Sequence, residues 1–196
     1  MTNTFLSFNS FIKKYVEIND TELEALNQKC ERVDFAKGEI IMKAGQSQNA
    51  LFFIVKGLIK NYIDTEEGDT KIYNFRMENM QVTGYALYNY NDELRAIVNV
   101  QTLEDCVMIK VPLEAIKYVT ENNKFGERLG RLLAESHVLE MVNYVVQRDT
   151  LSILERYDNM EKGFPNIHQR VPQHMIASYL GITPVHLSNI KKSRKI

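Results

Sequence analysis

The chain has 196 residues, 44% hydrophobic and 25% charged, with nine glycines, four prolines and two cysteines, which reads as an ordinary soluble globular protein of one large domain or two small ones. Its formal charge of −1 hides an asymmetry: all 25 acidic residues fall in 1–161, while 162–196 hold six Lys and Arg, three of the four histidines and no acid. The longest apolar run, Leu51 to Val55, is too short to cross a bilayer, the N-terminus lacks the pattern of a secretory signal, and Cys30 and Cys106 make neither a disulfide framework nor a metal spacing, so a reducing cytoplasm is expected.

Apolar positions at helical spacing open the chain: Phe8, Phe11, Ile12 and Tyr15, then Leu23 and Leu26, with Asp20 or Thr21 as the expected cap of the second helix. Between Val33 and Val111 the pattern changes. Five of the nine glycines separate short β-rich runs, "EIIM", "LFFIVKGLIKNYID", "TKIYNFRM", "RAIVNVQTL" and "CVMIKV". Such runs predict an antiparallel sandwich or barrel, and "TEEGD" predicts a hairpin turn. After Pro112 the period becomes helical again, first over "PLEAIKYVTENN". A longer helix follows from Phe125, in which Phe125, Leu129, Leu132, Ser136, Leu139, Asn143 and Val146 repeat at alternating four- and three-residue steps. That is the seam spacing of two helices wrapped together, so these residues are expected to form a dimer helix; the bland alternative is a helix packed on its own domain. Gly126 and Gly130 lie one turn apart on it, as if another backbone came close. "TLSILERYDNMEK" predicts a further helix, ended by Gly163 and Pro165.

The last segment, "QHMIASYLGITPVHLSNI" from Gln173, predicts two helices joined by a tight turn. Ile176, Ala177 and Leu180 would be buried, with Ala177 small where the second helix crosses. Gly181 supplies a left-handed turn, Thr183 caps the next helix, Pro184 takes its first position, and Leu187 and Ile190 face the core. This is helix-turn-helix spacing. Without acidic residues and with six basic ones, it is expected to face the phosphates of double-stranded DNA. His186, Ser188 and Asn189 are candidates for base edges or phosphates, Val185 for a thymine methyl, and Lys191, Lys192, Arg194 and Lys195 for phosphates, with Gln173 and Thr183 at the two helix starts.

The order of a β-roll, a long seam helix and a C-terminal helix-turn-helix resembles the CRP/FNR superfamily of bacterial transcription regulators. The likeness is carried by "KGEIIMKAGQSQNALFFIVKGLIKNY", "TGYA" and "RVPQHMIASYLGITPVHLSNIKK", and the last segment is most similar to compact members from Bacteroidetes-type bacteria. The resemblance implies an α+β fold: a cyclic-nucleotide-binding-like antiparallel β-roll sensor over 1–120, a dimerisation helix over 121–147 and a DNA-binding domain over 148–196. It implies a homodimer that meets a pseudo-palindromic site, with a small-molecule effector in the roll and RNA polymerase open as a further partner. In nucleotide-binding members a Gly-Glu pair and an Arg followed by a small residue hold the ribose and phosphate. Here the corresponding pocket residues are Gly84, Tyr85, Ala86, Arg95 and Ala96: Tyr85 replaces the glutamate, and Arg95 falls one residue late on its strand. Cyclic AMP in the standard pose is therefore not expected. Two cysteines also cannot hold the iron–sulfur cluster of the oxygen-sensing branch. The recognition slots hold Pro184, Val185 and Asn189 instead of the family's common Arg or Glu and Arg, and no wing is expected beyond Ile196.

The main rivals are a cupin-type metalloenzyme, which needs histidines and glutamates inside the barrel, and a partner-binding module with a degenerate DNA-binding domain. No histidine occurs before His137, and there is no phosphate-cradling loop or nucleophile motif, so no enzyme is expected.

Overall fold

The computed structural model describes residues 4–82, 95–122 and 124–193. Among the described residues, two helices, α1 (Phe5–Tyr15) and α2 (Asp20–Asn27), precede eight strands: β1 (Glu31–Phe35), β2 (Ile40–Met42), β3 (Ala50–Lys56), β4 (Ile59–Asp64), β5 (Thr70–Arg76), β6 (Gln81–Val82), β7 (Asn99–Thr102) and β8 (Cys106–Pro112). Six helices follow: α3 (Leu113–Asn122), α4 (Lys124–Thr150), α5 (Ile153–Gly163), α6 (Ile167–Arg170), α7 (Gln173–Leu180) and α8 (Pro184–Ser193). The mixed helix and antiparallel-sheet class expected from the sequence is the class observed. None of the described helices is long and apolar enough to cross a membrane.

The strands form two four-stranded sheets, ordered β1-β8-β3-β6 and β2-β7-β4-β5. Strand β3 explains why "LFFIV" is an unbroken apolar run. Phe52 and Ile54 turn to a core between the sheets, shared with Met42, Ile59, Val100 and Met108, while Phe53, fully buried, joins a second core on the sheet's other face. A strand covered on both faces cannot alternate with polar residues. The second core is closed by Phe8 and Ile12 of α1, Leu23 and Leu26 of α2, and Ala115 and Val119 of α3.

Two local expectations are corrected. The cap of α2 is Asn19, not Asp20 or Thr21: the Glu22 N–H donates to Asn19 Oδ1 at 2.9 Å and Glu22 Oε2 accepts from the Asn19 N–H at 3.0 Å, a complete capping box. Strand β1, "ERVDF", begins before the first expected run; it lies at a sheet edge, its charged Glu31, Arg32 and Asp34 are exposed, and Val33 and Phe35 pack on the inter-sheet core.

The chain divides into two compact units, Met1–Asn61 with Phe75–His137, and Tyr62–Asn74 with Val138–Ile196. The division falls inside α4, and the tip of the β4–β5 hairpin groups with the C-terminal helices.

Candidate nucleic-acid interface

Helices α7 and α8 pack at their turn as side-chain size dictates. Ile176, Ala177, Leu180 and Leu187 are buried, the last with no exposure, and Ile190 is half-buried. Gly181 sits at φ +71°, the left-handed conformation that ends α7, and the Ile182 N–H donates to the Ala177 carbonyl at 3.0 Å. The Thr183 hydroxyl accepts from the His186 N–H at 3.2 Å, capping α8, whose first residue is Pro184. On the outer side of α8, Val185 (71% exposed), His186, Asn189 and Lys192 stand free of the core. Spaced at 185, 189 and 192, with 186 beside them, they form one continuous face.

The other candidates divide. Thr183 is exposed, but its oxygen is engaged in the cap. Gln173 is exposed at the start of α7, with its Nε2 donating to the Pro184 carbonyl at 3.4 Å. Ser188 is half-buried. The Lys191 ammonium lies 5.9 Å from the ring centre of the buried Tyr157, so part of its charge is turned to the domain's own aromatic face. Arg194 and Lys195 lie outside the described residues.

Further contacts hold α7 within its unit and had no signal in the sequence. Ser178 Oγ donates to the Thr70 carbonyl at 3.0 Å and accepts from the Ile72 N–H at 3.1 Å, so one hydroxyl satisfies two backbone groups of β5. Tyr179 meets Tyr144 of α4 and Phe164, each at 6.3 Å between ring centres. A helical serine reads as a solvated residue until the strand beside it is seen.

The dimer-helix candidates separate along α4. Phe125 and Leu129 pack against the second core, and Leu132 and Ser136 are half-buried, the Ser136 hydroxyl donating to the Leu133 carbonyl at 2.8 Å. Gly126 makes room for this chain's own α3: a Cβ there would collide with the Val119 carbonyl. The backbone that the glycine admits is thus intramolecular, a correction to the dimer reading of Gly126; at Gly130 a Cβ would meet nothing within 4 Å. From Val138 onward one face of the helix is exposed, while Glu140, Tyr144 and Gln147 on another face are partly buried. Leu139 (63% exposed), Val146 (50%) and the exposed Asn143 of the expected seam are joined by Val138, Met141, Val142 and Val145. Those four belong to an adjacent helical frame, at steps of three and four residues in the sequence.

Of the roll's pocket candidates, Gly84, Tyr85 and Ala86 lie outside the described residues. Arg95 is exposed, and its Nη1 donates to the Gly45 carbonyl at 2.9 Å; Ala96, next along, is buried in the inter-sheet core, its N–H donating to the Gln46 carbonyl at 2.8 Å. Both residues precede β7, Arg95 in an isolated antiparallel bridge with Ser47, and the exposed guanidinium and the buried Ala96 side chain meet different surroundings. The two thiols occupy different cores: Cys106 lies between the sheets and Cys30 packs on the second core. Burial pushes Cys30 up to about 12 and Cys106 up to about 11, so both stay protonated at neutral pH.

Residues 32–123 match the family described as cyclic nucleotide-binding domain. The chain is 32% identical over 100 residues to a fumarate and nitrate reduction regulatory protein of Yersinia pestis, a match covering 50% of this chain and 38% of that one. It is 23% identical over 185 residues to electron transport regulator A of Shewanella oneidensis, covering 88% and 72%. A solved structure assigned to the CRP/FNR family, from Eubacterium rectale, superposes with a TM-score of 0.71 at 14% identity, covering 99% of this chain and 88% of that one.

Proposed function

We propose that this chain, similar in sequence to FNR-type regulators and sharing the CRP/FNR fold over nearly its whole length, is a non-enzymatic, homodimeric DNA-binding transcription regulator. The observation that carries the reading is the face of Val185, His186, Asn189 and Lys192 on α8, in a segment that has no acidic residue. A capped helix with such a face fits the major groove, where His186 and Asn189 can bond base edges and Val185 can touch a thymine methyl. Lys192 meets phosphate.

The assignment follows the expected boundaries: a sensor over 1–120, a dimer helix over 121–147 and a reading head over 148–196. The bare stripe from Val138 to Val146 supports the dimer, because a two-fold pair of α4 helices would cover it and set two heads on successive half-sites about 34 Å apart. Any effector of the roll is bound without the standard cyclic AMP contacts, since the Arg95 guanidinium is held at the Gly45 carbonyl.

Fluorescence anisotropy with short duplexes tests this. Affinity should fall steeply between about 50 and 200 mM salt, as several phosphates are neutralised. Lys192→Ala should weaken binding to every sequence alike and flatten the slope of log K against log salt by about one unit. Binding that ignores salt, or is absent in dilute buffer, would sink the regulator and favour the partner-binding module. Loss of preference at a single base position in Lys192→Ala would instead move that lysine from the phosphate to a base edge.

A further inference from the structure

A cavity of about 300 Å³ lies in the first unit, on the face of the β1-β8-β3-β6 sheet that carries Phe53. Its walls are Phe8, Leu51, Phe53, Val111, Leu129 and Leu133 with other apolar neighbours from α1, α3 and the first turns of α4. The cavity opens to solvent beside the exposed Glu127 and Arg131, while its deeper walls are apolar, the form of a small-molecule site. It is also distinct from the inter-sheet core that holds Ala96.

Few polar groups reach this cavity. Gln81 bonds His137 at 2.9 Å, and the Thr120 hydroxyl turns back to the Ile116 and Lys117 carbonyls. Glu127 and Arg131 are the charged lining residues, one helical turn apart, and Arg131 Nη1 already donates to Glu135 at 2.6 Å. A carboxylate entering here would meet Arg131 with Glu127 beside it, and an ammonium the reverse, so neither charge is favoured unopposed. A neutral head that both donates and accepts suits the mixed pair. At interior density, 300 Å³ holds about a dozen non-hydrogen atoms.

We propose that this cavity is a binding site for a neutral amphiphile of about that size, its apolar chain against Phe53 and Leu129 and its hydroxyl or amide head at Glu127 and Arg131. Its wall is the early part of α4, whose later part carries the bare stripe, so on the regulator reading above it is where an effector would act on the dimer helix.

Calorimetric titration of the full chain with 1-decanol, decanoate and decylamine tests the site. One equivalent of decanol should bind saturably, and at least tenfold more tightly than either charged analogue. Gly130 lines the cavity and a Cβ there has open space, so Gly130→Leu should fill part of it and weaken decanol at least tenfold. Its urea midpoint should not fall, because leucine is the better helix former. Ala134→Leu, also on the wall, gives the same reading if Gly130→Leu does not fold. No saturable uptake of decanol, or unchanged affinity in a folded filling variant, overturns the site; tighter binding of a charged analogue overturns the choice of head. Duplex binding is measured separately, so a protein that takes up decanol but ignores DNA keeps the site and loses the regulator.

Discussion

The two halves of α4 share one helix and one apolar rhythm, yet they meet different fates. Over Lys124–His137 the apolar face is covered: Gly126, Leu133 and His137 are buried, and Phe125 and Leu129 join the second core. Over Val138–Val146 six large apolar residues stand 44–63% exposed. Spacing tells which face of a helix is apolar, but not whose surface will cover it. In the first half the cover comes from α1, α3 and the sheet. In the second half no described residue covers the stripe, and exposure of this extent supports the proposed dimer.

The largest expected effect breaks the comparison at its bare end. Val142→Asp puts a carboxylate in the middle of the stripe, and in a two-fold interface it does so twice. Dimerisation should weaken at least 100-fold, about 3 kcal/mol, read by sedimentation across a dilution series. Because Val142 is 51% exposed, the circular dichroism of the isolated chain should be unchanged. A dimer that survives would move the interface off the stripe. A smaller effect probes the covered end. Gly126→Ala forces a methyl group against the Val119 carbonyl of α3, and overpacking of this kind costs about 1–3 kcal/mol. Urea unfolding should show that loss, with the dimer constant at matched folded fraction unaltered.

How much of this was legible depends on how many independent constraints each residue obeys. The helix-turn-helix could be read because Gly181, Thr183 and Pro184 each meet a separate backbone demand at a fixed offset, and Ala177 a steric one. The β-roll could be read from "LFFIV" and the glycines between runs. Strand β1 was not, because an edge strand needs only Val33 and Phe35 to face a core. The four-residue α6, "IHQR", is too short to show a period. Along the expected seam the spacing does not say what covers each residue: Phe125 and Leu129 pack on this chain's own second core, and Leu139 and Val146 are exposed. Ser178 was invisible, since its partners are backbone groups 106 and 108 residues away. The cavity was invisible for a related reason: empty space is a property of packing, not of any residue.

The smallest effect sharpens the comparison most, because it uses one residue type twice. Gly130 lies one turn after Gly126 in the same covered half, yet a Cβ there has no neighbour within 4 Å. Gly130→Ala should therefore stabilise the chain by about 1 kcal/mol, the helix-propensity difference alone, with Gly126→Ala moving the urea midpoint the opposite way. Opposite signs one turn apart would mean that one glycine is kept for a steric reason and the other is not. If Gly130→Ala instead weakens the dimer while the dilute chain is no less stable, a second backbone reaches position 130 in the assembly. The interface would then begin in the covered half of α4, and the boundary drawn at Val138 would have to move toward the N-terminus.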